Sequence, residues 1–165
     1  MRLTLLALIA FSLSCTSPTK DKGHLPSSPI RDNQTFEYHE GIAWWDSLAT
    51  YSDHIRIDTF GATDAGYPLH LVSWSSSNTH PFEARTSGKT IVLINNAIHP
   101  GEPDGVDASM NLYRKLAMNP EEMKEDIVLV CIPFYNIGGT LNRNQHSRAN
   151  QNGPVEYGFR GNAQY

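Results

Sequence analysis

The spacing of apolar positions changes character along the chain, and each change predicts an element. From Glu37 to Ser52 the residues Tyr38, Ile42, Trp45, Leu48 and Ala49 recur at helical spacing, which predicts a helix packed by one face. From His54 to Ser75 the period drops to two, with Ile55 and Ile57, then Leu69 and Leu71, and Trp74 after a polar step. Ala62-Thr63-Asp64-Ala65-Gly66 separates the two halves, and alternation on both sides of a Gly/Asp break predicts an antiparallel hairpin. Ser76 to Lys89 is polar and reads as a loop.

Ile91-Val92-Leu93-Ile94 is a short apolar run rich in β-branched residues, the pattern of a strand buried on both faces. Helical spacing returns from Pro103 to about Met118, with Val106, Met110, Tyr113 and Ala117 on the buried face and Asn119-Pro120 as the stop. Ile127 to Phe134 is a second continuous apolar run. Strand, helix and strand in that order form a βαβ unit, so the two apolar strands should lie parallel, joined by a right-handed crossover. The expected fold is therefore α/β, a mixed parallel/antiparallel sheet with flanking helices.

Asn136-Ile137-Gly138-Gly139 reads as a turn ending the second apolar strand. A polar, Gly/Asn-rich segment follows and carries Arg143, Arg148 and Arg160. A long polar segment at a sheet edge is more often functional than idle. No further strand or helix pattern covers a sheet with two central apolar strands, so the folded part is expected to be the front of a larger domain.

Composition adds bounds. A chain of 165 residues with net charge −4 suffices for one domain with a real core. It lacks the basic patch or stripe of a nucleic-acid binder. Met1 to Cys15 opens with an arginine, continues as an apolar run from Leu3 to Leu13 and closes on small residues and a cysteine. That run is too short to span a bilayer and suits a secretory signal peptide better than a buried core helix. Its ending resembles a bacterial lipoprotein signal with Cys15 as the lipidated residue, although Ser12 stands where a large aliphatic residue is usual. Residues 16–34 are rich in Pro, Ser, Thr, Lys and Gly and are expected to form a flexible tether, with the folded domain over 35–165. The expected location is outside the cytoplasm, in the bacterial cell envelope or periplasm, anchored through Cys15 or secreted. Cys131 is the only other cysteine; with Cys15 lipidated or removed it has no disulfide partner and reads as a small core residue.

The candidate chemistry sits where the first apolar strand ends. His99-Pro100-Gly101-Glu102 carries the Pro-Gly pair of a type II turn, which brings an imidazole and a carboxylate close together. Pro103 fits the start of a helix, with Asp104 and Asp107 near its N-terminus, where the dipole favours negative charge. Neutral imidazole and carboxylate are both zinc ligands. A bare His-x-x-Glu is also what a polar loop with a helix-capping glutamate looks like, so the motif alone leaves both readings open. His24, His39, His54, His70 and His80 lack ligand-like spacing and read as surface or internally satisfied residues, and His146, the only histidine after Glu102, comes too early and in the wrong setting to be a further ligand.

Taken in order, four features resemble the zinc carboxypeptidase family, the carboxypeptidase A-like metallopeptidases. Asp64-Ala65-Gly66-Tyr67-Pro68-Leu69 is similar to the family's Gly-containing hairpin turn, and His99-Pro100-Gly101-Glu102 matches its His-x-x-Glu motif. Asn136-Ile137-Gly138-Gly139 stands where the family usually has Asn-Pro-Asp-Gly, and Phe159-Arg160-Gly161-Asn162 resembles its aromatic-Arg element. The resemblance covers residues 35–165 and only the N-terminal portion of such a domain. It implies a Zn2+ cofactor with His99 and Glu102 as two ligands, and Arg160 as the arginine that polarises the scissile carbonyl and holds the oxyanion. From the residues alone, Arg160 reads equally as a surface arginine, while Arg143 and Arg148 read either as groove residues or, more readily, as a solvated loop face.

The family mechanism further implies a third, histidine ligand, a glutamate base and an Asn-Arg pair, none assignable here. There are two departures from the family pattern: Gly101 stands where many members have arginine before the glutamate, and Ile137-Gly138 replaces Pro-Asp in the turn. The resemblance implies zinc-dependent hydrolysis of C-terminal peptide bonds, with peptide or protein C-termini as substrates and the 165-residue chain alone inactive. The rivals are a zinc-dependent deacylase of the aspartoacylase/succinylglutamate desuccinylase type and a non-catalytic peptide- or glycan-binding remnant.

Overall fold

The helix expected over 37–52 forms as α1 (Tyr38–Tyr51) and buries Tyr38, Gly41, Trp44, Trp45 and Leu48. A computed structural model describes residues 22–147 and 153–161; the proposed signal segment with Cys15, as well as Arg148 and Asn162, lie outside the described residues. The hairpin forms as β1 (Ile55–Ala62) and β2 (Pro68–Trp74), paired antiparallel from Ile55 opposite Trp74 to Ala62 opposite Pro68. The next elements are α2 (Pro81–Ser87), β3 (Thr90–Asn95), α3 (Asp104–Met118), β4 (Ile127–Ile132) and α4 (Ile137–Leu141), then the two-residue strands β5 (Arg143–Asn144) and β6 (Tyr157–Gly158).

The main sheet has the order β1-β2-β4-β3. β4 runs antiparallel to β2 and parallel to β3, from Thr90 opposite Ile127 to Asn95 opposite Ile132. This is the mixed sheet with flanking helices that the hydrophobic pattern predicts. Alternation along β4 sorts its side chains between two layers. Leu129 and Cys131 join the main core with residues of α1 and α3, whereas Val128 and Val130 pack with Ala84 of α2 on the opposite face. In the main core the Trp45 and Tyr113 rings meet edge-on at 5.1 Å, tying α1 to α3 through the aromatic geometry such pairs prefer.

Four expectations need correction. The polar stretch 76–89 is not all loop: His80 caps α2, its side chain accepting from Phe82 N while Glu83 returns to the cap backbone. Pro81 opens the helix and Gly88 ends it at φ +74, so local capping chemistry made a helix whose buried face is only Pro81 and Ala84, too short a pattern to read as a stripe. β3 is not buried on both faces: at the edge of the sheet it leaves Ile91 and Leu93 on one face 41% and 60% exposed, and Val92 on the other 40% exposed, because no described element packs fully over them. Apolarity marks a strand whose faces need cover without naming the element that covers them. Asn136 does not merely turn the chain; its side chain accepts from Gly139 N and starts α4.

Finally, part of the stretch expected as a tether lies on the domain. Leu25 packs against the core and Pro29 is buried. Ser27 O accepts from Trp44 Nε1 at 3.0 Å, and Pro26 O from Arg114 Nε at 2.8 Å. Arg31 pairs with Glu40 at 2.6 Å and lies over the Phe36 ring. Polar composition allowed a free chain, but backbone carbonyls in it satisfy side-chain donors of α1 and α3, a role composition does not reveal.

Candidate functional site

Because β3 and β4 are parallel and end in register at Asn95 and Ile132, the chain leaves both strands at one edge of the sheet, where α/β folds build their sites. After β3 the backbone turns sharply. Ala97 adopts φ +50 and Gly101 φ +96. Glu102 N donates to His99 O at 3.2 Å, closing the turn that Pro100-Gly101 encodes. His99 Nδ1 then stands 3.4 Å from Glu102 Oε2, with the two side chains 34% and 49% exposed.

That separation has a chemical meaning. A charge-assisted hydrogen bond between imidazolium and carboxylate would draw the atoms to about 2.7–2.9 Å. Two ligands of a tetrahedral zinc ion, at bond lengths near ~2.1 Å, stand about 3.3–3.4 Å apart. The neutral-imidazole and carboxylate donor set and its spacing therefore fit zinc. Among the described residues no third His, Cys, Asp or Glu completes a metal cluster with them.

The turn is walled by the segment carrying Arg160. β6 pairs with β5 and comes so close that a Cβ on Gly101 would sit 2.6 Å from Tyr157 Cβ. Gly158 lies against Pro100, leaving no room for a side chain. Phe159 N donates to Gly139 O at 2.8 Å, and Asn136 Nδ2 donates to Arg160 O at 3.1 Å and to Gly161 O at 2.9 Å. The structure thus brings His99 and Glu102 together and pins the backbone of Arg160 to the segment packed on their turn, with the Arg160 side chain exposed. Arg143 is not part of a solvated loop face: it is half-buried and lines the cavity that Gly101, Glu102 and Gly158 also line. Its guanidinium donates to Thr35 Oγ1 at 2.7 Å, Glu156 O at 3.0 Å and Phe36 O at 3.4 Å, stapling the start of the domain to the residue before β6.

Three groups near the turn carry no individual sequence signal of a role there. Asp107, one turn into α3, has its carboxyl pushed up to about 6 by burial, with Asp104 adding to the rise and Arg31 opposing it. At this position burial outweighs the helix dipole that favours the carboxylate. Cys131 is buried, which pushes its thiol up to about 12, so it is an inert neutral group. Asn96, only 5% exposed, donates from Nδ2 to Ser109 Oγ at 2.8 Å and to Cys131 Sγ at 3.3 Å. An asparagine after a strand looks like any loop residue, and only its burial distinguishes it.

The remaining described histidines have structural partners or open surroundings. His80 bridges Asp58 and the α2 N-terminus, His54 contacts Ser75 O, and His70 contacts the Tyr38 hydroxyl.

A family model described as Zinc carboxypeptidase matches residues 41–162. No curated protein sequence matches the chain. Among solved structures, carboxypeptidase A from Helicoverpa armigera is similar with a TM-score of 0.58 at 16% identity, over 71% of this chain and 28% of that one. Bovine thrombin-activatable fibrinolysis inhibitor, solved with a tick carboxypeptidase inhibitor, gives 0.52 at 16% identity over 66% and 33%. A further structure of thrombin-activatable fibrinolysis inhibitor gives 0.53 at 16% identity over 66% and 27%. These likenesses concern the fold, and the chain spans a third or less of the length of each.

Proposed function

This chain belongs to the zinc carboxypeptidase family, and from that premise we propose that it is the N-terminal part of a metallocarboxypeptidase domain that hydrolyses C-terminal peptide bonds of peptides or proteins. In this reading His99 Nδ1 and Glu102 Oε2 hold Zn2+, which when bound supplies Lewis acidity to the scissile carbonyl and lowers the pKa of a water. The observation that carries the reading is the 3.4 Å separation of those two atoms at the end of a parallel strand pair.

The residues do the rest by position. His99 binds as the neutral imidazole and Glu102 as the carboxylate, so their pairing leaves one net negative charge to offset the metal's two positive ones. Arg160 brings a permanently protonated guanidinium to the same edge, suited to the oxyanion that forms as the carbonyl is attacked. Gly101 in place of arginine removes one cationic contact from the substrate side, so selectivity rests on other parts of the protein. The third ligand, the general base and the carboxylate clamp come from further chain in the same domain. The exposed apolar edge of β3 supports that reading, since such an edge is ordinarily covered.

The test is elemental analysis of the protein as its gene encodes it, alongside release of C-terminal residues from peptides. About one zinc per chain is expected in the wild type, with stoichiometric loss in His99→Ala and Glu102→Ala and loss of hydrolysis with it. A wild-type protein that takes up no zinc overturns the proposal.

A further inference from the structure

Resting on the proposed metal pair, we propose that Asn96 is a positioning residue that locks the His99–Glu102 turn into its metal-ready geometry. Asn96 links three elements at the sheet edge through one buried side chain and its own peptide groups. Its backbone N donates to Ile132 O at 3.0 Å and its O accepts from Tyr135 N at 3.0 Å, fixing the end of β3 to the exit of β4. Its Nδ2 reaches Ser109 Oγ on α3 and Cys131 Sγ on β4. Its Oδ1 faces Gly105 so closely that a Cβ there would meet it at 2.8 Å, so the first turn of α3 is seated on the amide. The Asn96 side chain therefore lies against both ends of the loop bearing the ligands, in close approach to Gly105 and hydrogen-bonded to α3 through Ser109.

Such an anchor is needed because the next residue is strained. Ala97 holds φ +50, a left-handed conformation that an L-residue with a Cβ leaves readily unless its surroundings enforce it. Asn136 N holds Ala97 O at 3.1 Å on the far side, and Asn96 holds the near side. A buried amide held by directional hydrogen bonds favours one geometry where an apolar side chain would tolerate several. Were the amide lost, Ala97 would relax toward ordinary φ and the spacing of His99 and Glu102 would change with it.

The experiment uses the protein as encoded and compares wild type, Asn96→Leu, Ser109→Ala and the double variant Asn96→Leu/Ala97→Gly. Amide hydrogen exchange is measured on the metal-free proteins, and affinity for Zn2+ itself by chelator competition. Asn96→Leu is expected to speed exchange across 96–102 at least tenfold more than across β1 and β2, and to weaken zinc binding about 10–100-fold. Ser109→Ala should do both to a lesser degree. Glycine at 97 should recover part of the zinc affinity, which a merely structural loss of packing would not allow.

Uniform acceleration across the whole domain, or unchanged zinc affinity in a folded Asn96→Leu, overturns the inference. If Asn96→Leu does not fold, an unchanged Ser109→Ala overturns it. A wild type that binds no zinc refutes the proposed function instead, and the exchange pattern then decides the role of Asn96 by itself.

Discussion

Replacing Gly101 by alanine isolates what the turn's backbone contributes. Gly101 sits at φ +96 with Tyr157 Cβ 2.6 Å and Gly158 O 3.3 Å from where a Cβ would be. Left-handed strain costs an L-residue about 1–2 kcal/mol, and forcing a methyl into occupied space costs about 1–3 kcal/mol more. Together they give about 2–5 kcal/mol, and at about 2–4 °C per kcal/mol for a chain of this size the melting temperature should fall by about 4–20 °C. Gly66 is the internal control: it holds φ +77 with nothing within 4 Å of its notional Cβ, so Gly66→Ala carries strain without the clash.

The assay is thermal unfolding of both variants by circular dichroism, with zinc affinity measured in parallel. Gly101→Ala should melt below Gly66→Ala and bind zinc about tenfold more weakly, since the clash is relieved by moving the turn away from β6. Equal melting temperatures would refute the argument that the turn is wedged against Tyr157. The same clash gives a reason for the departure from the family pattern, because an arginine at position 101 would need β6 to stand elsewhere.

Arg160→Ala in the encoded protein should lower kcat about 10²–10³-fold with a smaller change in KM, as loss of an oxyanion donor does, and equal effects on both constants would argue against that role. In metal-free protein Asp107 should make stability fall as pH rises from its ordinary 3.8 to about 6, because the native state keeps a proton that the unfolded chain has released. Urea unfolding across that window should show the slope, and Asp107→Asn should remove it and raise stability at neutral pH. For the proposed lipid anchor, Cys15→Ser should move the protein from the membrane fraction to the soluble fraction and abolish incorporation of labelled palmitate; unchanged fractionation would exclude the anchor.

The local elements were legible because each is written in nearest-neighbour terms. The helical period set α1 and α3, the two-residue period set the hairpin, and two apolar runs set the parallel pair. Pro100-Gly101 specified the turn that joins His99 and Glu102 because a type II turn is decided by its own central residues. α2 was also encoded locally, in His80, Pro81, Glu83 and Gly88, but as capping chemistry and not as a hydrophobic stripe. What the sequence could not determine are facts of position between distant segments. Which apolar strand lies at the edge, which buried asparagine ties β3, β4 and α3 together, and that Tyr157 presses on Gly101 all depend on contacts between residues far apart in the chain. Burial and proximity of that kind arise only when the chain closes on itself, so Asn96, Asp107 and Arg143 acquired their parts from the tertiary structure.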